Sequence, residues 1–388
     1  MNGHTFKVNH KKLRKLMKKS LSTGMSIYVS GACGIGKSQA VMSAAIDKSL
    51  SMGKTFKEWN RLSSDEKALF VADTEESKKI REDSYVFMDI RISQMDPTDI
   101  KGLPKINTNF SSWICPQFVR AMSYVESNGL LFFDELNLAP QSVQGACYQI
   151  ILDRCVGEVA LSKGTRVFAA GNRLNDKASI YERSAPLKDR FRNVELDPPS
   201  ASSWIDEFAT KKGIDNRIIS FLSWKPEAIF QDYTKSNLGD NFCTPRSWEK
   251  VSRDIEGENV MGDVFDYTAS IIGSGIAQEF IAFLKYSQEI DLDDVFKNPH
   301  KIKEFDAGTK YSVIGAIAGK YEREGNAIIK NIAEIIGTGK DGSCYMNADF
   351  AVVLIKMCKA KNSRFISSFL KIPEATKTII SYKKFLVE

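Results

Sequence analysis

Short apolar runs alternate with stretches of helical spacing through the first half of the chain. Residues 25–30, 85–90, 129–133, 166–172 and 193–196 each read as a buried or half-buried strand. Between them, 37–46, a Glu/Lys-rich segment at 74–82, 116–126 and 142–153 read as helices, and 157–163 as a hairpin or loop. Strands that alternate with helices predict the α/β class. Asp197-Pro198-Pro199-Ser200 interrupts the pattern and marks a domain boundary. Beyond it the period is helical: 203–212, 215–223, 246–255, 260–287, 310–336, 347–359 and 363–370. Thr244 supplies an N-cap and Pro245 a first-turn residue for the 246–255 helix. The organisation predicted is an α/β core over 1–199, a helical segment over 200–290 and a further helical region over 291–388.

The first strand and the first long helix enclose Gly31-Ala32-Cys33-Gly34-Ile35-Gly36-Lys37-Ser38, which satisfies G-x-x-x-x-G-K-[ST] at every fixed position. Glycines let backbone N–H groups approach a dense anion without a Cβ in the way. The helix beginning near Lys37 offers its positive end. Lys37 adds a mobile cation for the β- and γ-phosphates, and the Ser38 hydroxyl can ligate Mg²⁺. The strand–loop–helix context separates this loop from a glycine-rich surface turn.

The third strand ends in two carboxylates, Asp134 and Glu135. Strand alternation predicts that they point in opposite directions. The first suits a place behind Mg²⁺; the second can face the γ-phosphate and polarise a water. The fourth strand ends in Asn172, an amide able to hold that water or sense the γ-phosphate.

Composition narrows the setting. The 388-residue chain is 43% hydrophobic, has seven cysteines without a C-x-x-C pair, and has three histidines, His4, His10 and His300. Such thiols suit a reducing, cytoplasmic compartment better than a disulfide frame, and a His-rich metal site is not expected. No apolar run is long enough to span a bilayer, and the basic N-terminus lacks the apolar segment of a secretory signal. The net charge of +6 is mild for this length and permits nucleic acid without requiring it. Leu13, Leu16, Met17 and Leu21 form an apolar stripe opposite Lys11, Lys12, Arg14, Lys15, Lys18 and Lys19. That basic amphipathic helix could touch a membrane or nucleic acid; the simpler reading packs it beside the nucleotide loop with its lysines in water.

Taken in order, these motifs resemble the AAA+ ATPases of the MoxR-like, dynein-related group, the clade with an insertion in its second helix. The resemblance covers roughly residues 20–255. Gly31–Ser38 corresponds to Walker A, and Asp134 and Glu135, within Phe133-Asp134-Glu135-Leu136-Asn137-Leu138-Ala139-Pro140, to Walker B in the family's DE-x-N-x-A-P. Asn172 in Ala170-Gly171-Asn172-Arg173 corresponds to sensor 1, and the stretch 96–104 resembles the lead into the helix-2 insert. Arg190 in Asp189-Arg190-Phe191 matches the arginine finger, with Arg192 a competitor, and Arg246 in Thr244-Pro245-Arg246-Ser247 matches sensor 2. The chain departs from the family at Leu138 and Lys188, where relatives often carry arginine. The segment 51–83 is longer than a minimal core needs, and 291–388 is matched only by helical character.

The resemblance implies a five-stranded parallel sheet between helices followed by a helical lid, with ATP and Mg²⁺ bound. It also implies a finger that serves a neighbouring subunit, and a ring, a homo-hexamer, as the working form. Arg246 would couple nucleotide state to the lid. The function implied is chaperone-like remodelling of a protein client or a von Willebrand A-type partner. The alternative is a nucleic-acid-associated NTPase similar to the GTP-preferring McrB branch; no appended nuclease or DNA-reading segment is evident. A non-catalytic scaffold is the third reading, disfavoured by the intact Glu135, Asn172 and Arg190.

Overall fold

The computed structural model describes residues 6–372 apart from 174, 175, 177–180, 235–238, 240, 259, 338–344 and 363. The chain divides into two compact units, Met1–Pro198 and Pro199–Glu388.

In the first unit the elements run β1 (Lys7–Val8), α1 (His10–Thr23), β2 (Ile27–Gly31), α2 (Lys37–Ser51), β3 (Thr55–Glu58), α3 (Ser64–Val71), α4 (Glu75–Asp83) and β4 (Ser84–Arg91). They continue with α5 (Pro97–Lys101), β5 (Leu103–Ile106), β6 (Ser111–Ile114), α6 (Gln117–Ala121), β7 (Asn128–Asp134) and α7 (Gln141–Leu152). Last come β8 (Cys155–Val156), β9 (Val159–Ala160), β10 (Gly164–Gly171), α8 (Ala185–Asp189) and β11 (Arg192–Leu196). Seven strands form one sheet in the order β1-β11-β2-β10-β7-β4-β3, and every pairing is parallel.

The five expected strands are its middle. The two edges, β1 and β3, carry no continuous apolar run; three of the four β3 residues are only half-buried and the fourth is exposed, so no pattern announces them. Alternation assigns the two faces. Val86, Met88 and Ile90 of β4 share a core with Leu131 and Phe133 of β7 and with Val143, Cys147 and Ile150 of α7. Phe87 stacks on Phe132 on the opposite face, ring centres 6.1 Å apart.

Register decides where function can sit. Gly171 lies level with Ser30, Ala169 with Phe133, and Arg91 with Asp134. The carboxyl ends of β2, β10 and β7 therefore meet side by side at the centre of the sheet, the usual place for a ligand in an open parallel sheet.

The 51–83 segment joins this core through Trp59 and Phe70 and is tied to it by one buried arginine. Arg81, 3% exposed, pairs with Glu126 at 2.6 Å, donates to the carbonyls of Phe70 and Ala72, and lies 3.7 Å over the Tyr124 ring. The expected 116–126 helix is shorter: α6 stops at Ala121, and turns through Ser127 redirect the chain into β7. The stretch after β4 is more ordered than a loop. Asp96 caps α5, and β5 and β6 make an antiparallel hairpin that exposes Leu103, Ile106, Phe110, Trp113 and Ile114. A second, shorter hairpin joins β8 to β9.

Every regular element among the described residues of the second unit is a helix. Ala201–Trp204 runs through a wide turn at Ile205–Ala209 into Thr210–Lys212, followed by Asn216–Trp224 and Pro245–Asp254, whose Thr244 cap and Ser247 complete a capping box. The expected 260–287 helix is two, Met261–Ile272 and Ser274–Gln288, parted at Gly273; 310–336 is likewise Ala307–Glu324 and Ile329–Ile336. Leu292–Lys297, Ala348–Lys361 and Phe365–Phe369 complete the set. One apolar cluster from Ala201 to Phe369 holds them, with Phe221, Trp248 and Phe280 ring against ring. Among the described residues no helix is long and apolar enough to cross a membrane.

Candidate functional site

The loop from Gly31 to Ser38 joins the end of β2 to the start of α2. Gly36 caps α2 with φ of +92°, a left-handed turn that a side chain would oppose, and Lys37 is the first helical residue. The first N–H groups of a helix have no intrahelical partner, which suits an anion. Ala32 and Ile35 are buried and anchor the loop, while Cys33 is exposed at its tip. His10, the first residue of α1, lies with Nε2 2.9 Å from the Ile35 carbonyl. The basic helix thus meets this loop at His10, buries Leu13, Met17 and Leu21, and exposes its lysines.

Three sheet ends converge on that loop. Lys37 Nζ donates to the carbonyls of Gly31 and Ala32, at 2.8 and 2.9 Å, and to Asn172 Oδ1 at 3.2 Å. Ser38 Oγ donates to Asp134 Oδ2 at 2.6 Å. A hydroxyl and a carboxylate oxygen held together suit a hard cation such as Mg²⁺, which takes few protein ligands and completes its shell with water and phosphate. Among the described residues no group of three or more His, Cys, Asp or Glu could hold a metal ion.

Glu135 corrects one expectation. Pleat alternation does not orient it, because β7 ends at Asp134 and Glu135 adopts φ of +56°, ψ of 30°. That is a left-handed conformation uncommon outside glycine and frequent at functional positions. The turn directs its carboxylate to Ser93, whose Oγ donates to Oε2 at 2.5 Å. Ser93 follows β4 and carries no motif; only the fold brings it here.

Asn137 also escaped assignment, although it is a letter of DE-x-N. Its Nδ2 donates to the Asn172 carbonyl at 2.8 Å and its Oδ1 accepts from the Asn172 N–H at 3.0 Å. This two-way clamp fixes the backbone of Asn172. Gly171 makes it possible: a Cβ there would lie 2.1 Å from both Asn137 Oδ1 and the Tyr28 hydroxyl. Burial pushes the Tyr28 hydroxyl up to about 12, against the opposing pull of the Arg183 charge.

Asp89 of β4 shares a face with Asp134, one step along the neighbouring strand. Burial first, then the Asp134 charge, push its carboxyl up to about 6. Among the described residues its Oδ1 is buried without a hydrogen-bond partner.

Arg190 and Arg192 stand elsewhere in the first unit. Arg190 is exposed at the end of α8, just before β11. Arg192 lies level with Ile27, whereas Leu196 lies level with Gly31. Four residues of strand, about 13 Å, separate Arg192 from the phosphate loop. Arg192 is partly occupied, its Nη2 3.8 Å from the Met25 sulfur. Arg246 is exposed on the first turn of Pro245–Asp254 in the second unit. The fold therefore gathers Gly31–Ser38, Asp134, Glu135 and Asn172 at the carboxyl ends of the central strands, with Arg192 at the start of β11 and Arg190 before it.

No family model matches the chain, and no curated protein matches it. Among solved structures it aligns with a putative ATPase from Cytophaga hutchinsonii at 14% identity and TM-score 0.31, over 96% of this chain and 80% of that one. It aligns with NtrX from Brucella abortus at 10% and 0.31, over 96% and 67%. It also aligns with a point mutant of RuvB from Thermotoga maritima at 14% and 0.32, over 76% and 73%. The likeness is remote, and the geometry of the site is what speaks for a function.

Proposed function

We propose that the chain is a Mg²⁺-dependent ATP hydrolase of the AAA+ type, close to the MoxR-like, helix-2-insert clade, that works as a homo-hexameric ring to remodel a protein partner. One observation carries the reading. Lys37, Ser38, Asp134, Glu135 and Asn172 come from three separate strand ends and meet around a single phosphate-binding loop.

In this reading the loop N–H groups and Lys37 bind the triphosphate, with Lys37 leaving its present carbonyl partners for phosphate oxygens. Ser38 and Asp134 are the residues that would hold Mg²⁺, whose charge offsets that of the phosphates. Glu135 orients and deprotonates the attacking water, and Asn172, fixed by Asn137, contacts the γ-phosphate side. Arg190 precedes β11, whose far end is the one level with the phosphate loop, which supports a finger acting on a neighbouring copy; such fingers contribute about 10³–10⁵ in rate. Arg246 would couple nucleotide state to the helical unit. The β5–β6 hairpin favours a protein client over nucleic acid, because Leu103, Ile106, Phe110, Trp113 and Ile114 are all exposed and Lys105 is the one charge between 103 and 114.

The test is turnover of ATP and GTP per subunit across protein concentration, with Glu135→Gln as the blank. Specific activity should climb with concentration, with ATP preferred. Flat turnover from a monomer would remove the ring and the finger. Failure to bind or hydrolyse either nucleotide would remove the whole reading, and a preference for GTP with salt-sensitive DNA binding would replace the protein client by nucleic acid.

A further inference from the structure

A half-buried arginine with no role in the phosphate site lies between that site and Arg190. Among the described residues Arg183 pairs with no carboxylate. Its guanidinium lies over the Tyr28 ring, 3.4 Å from the centroid, and Nη1 donates to Asn193 Oδ1 at 2.9 Å. A desolvated cation without a counter-ion costs stability, and burial holds this guanidinium below the ordinary arginine value. Packing alone would be served as well by an apolar side chain.

What Arg183 holds is the turn that carries Arg190. Asn193 Nδ2 donates to the carbonyls of Lys188 and Phe191, at 2.6 and 2.9 Å, closing a bracket around Arg190. Phe191 packs on Tyr28 with ring centres 5.9 Å apart. At the other end, the Tyr28 hydroxyl sits against Gly171, and the Tyr181 N–H donates to the Asn137 carbonyl at 2.8 Å. A continuous set of contacts thus runs from the Asn137–Asn172 clamp through Tyr28 and Arg183 to Asn193 and the Arg190 turn.

We propose that Arg183 and Asn193 are positioning residues for Arg190, setting the finger in the frame that also holds the γ-phosphate side of the chain's own site. This rests on the reading of Arg190 as a finger acting on a neighbouring copy.

The experiment uses full-length chains in mixed assemblies. Site chains carry Arg190→Ala and lack a finger; donor chains carry Lys37→Ala and lack a nucleotide site. Donors should restore turnover to site chains. Adding Arg183→Met to the donor should cut that rescue about tenfold or more, while its melting temperature holds or rises. Adding Arg183→Met to the site chain should leave its affinity for a fluorescent ATP analogue unchanged and cost rescue less than in the donor. Asn193→Ser in the donor is the second variant and should act in the same direction. Full rescue by both altered donors would overturn the positioning role while leaving the finger in place. An equal loss from either side would also overturn it. No rescue by Lys37→Ala donors in demonstrably mixed assemblies would remove the finger and this inference together.

Discussion

Ser93 Oγ donates to Glu135 Oε2 at 2.5 Å, so the residue proposed to activate water is held by a hydroxyl from the neighbouring strand end. A hydrogen bond to a charged group is worth about 1.5–3 kcal/mol, enough to compete with a water for the same oxygen. Ser93→Ala should leave nucleotide affinity unchanged and raise basal turnover by up to about tenfold. Steady-state kinetics beside a nucleotide-binding titration check both. An unchanged or lower kcat would show that the bond aligns Glu135 rather than restrains it.

Asp89 gives the chain a stability term of unusual sign. Its folded carboxyl titrates near 6 and an unfolded one near 4, so the native state binds more protons between those values. Stability from this group is greatest below about pH 4 and falls as pH rises to about 6. Asp89→Asn should erase that slope. At pH 7, without nucleotide, it should exceed the parent by about 1 kcal/mol, the two-unit shift being discounted for partial exposure. Urea melts of both proteins at pH 4, 5, 6 and 7 read the difference directly; a constant difference across that range would refute the assignment.

Arg81 and Glu126 form a pair in which neither side chain is more than 10% exposed. Removing one charge from such a pair strands the other and costs about 3–5 kcal/mol, whereas replacing both is far milder. Glu126→Gln should lower the melting temperature sharply, and Arg81→Met combined with it should recover most of the loss. If the double variant melts no higher than Glu126→Gln, the segment is held by Arg81's bonds to the Phe70 and Ala72 carbonyls rather than by charge pairing.

The legible parts of this molecule are those that one stretch of chain determines. The central strands are continuous apolar runs, and the loop from Gly31 to Ser38 carries its chemistry in its spacing. Ser93 could not be foreseen, because it acquires a partner only when β4 and β7 pair in register. Asn137 was visible as a letter of a motif, but its partner Asn172 arrives only through the pairing of β7 and β10. The direction of Glu135 depends on one backbone dihedral rather than on side-chain order. The β5–β6 hairpin exposes side chains on both faces, so no buried period marks it.

The placement of Arg190 has a genetic consequence. Under the proposed function a copy lacking Lys37 would forfeit its own hydrolysis, whereas a copy lacking Arg190 would leave its own loop intact and disable the next one. With the finger acting in trans, the two lesions complement when they alternate and compound when they coincide. An Arg190 variant co-expressed with the parent protein should therefore behave as a dominant poison, its effect growing with its share of the mixture.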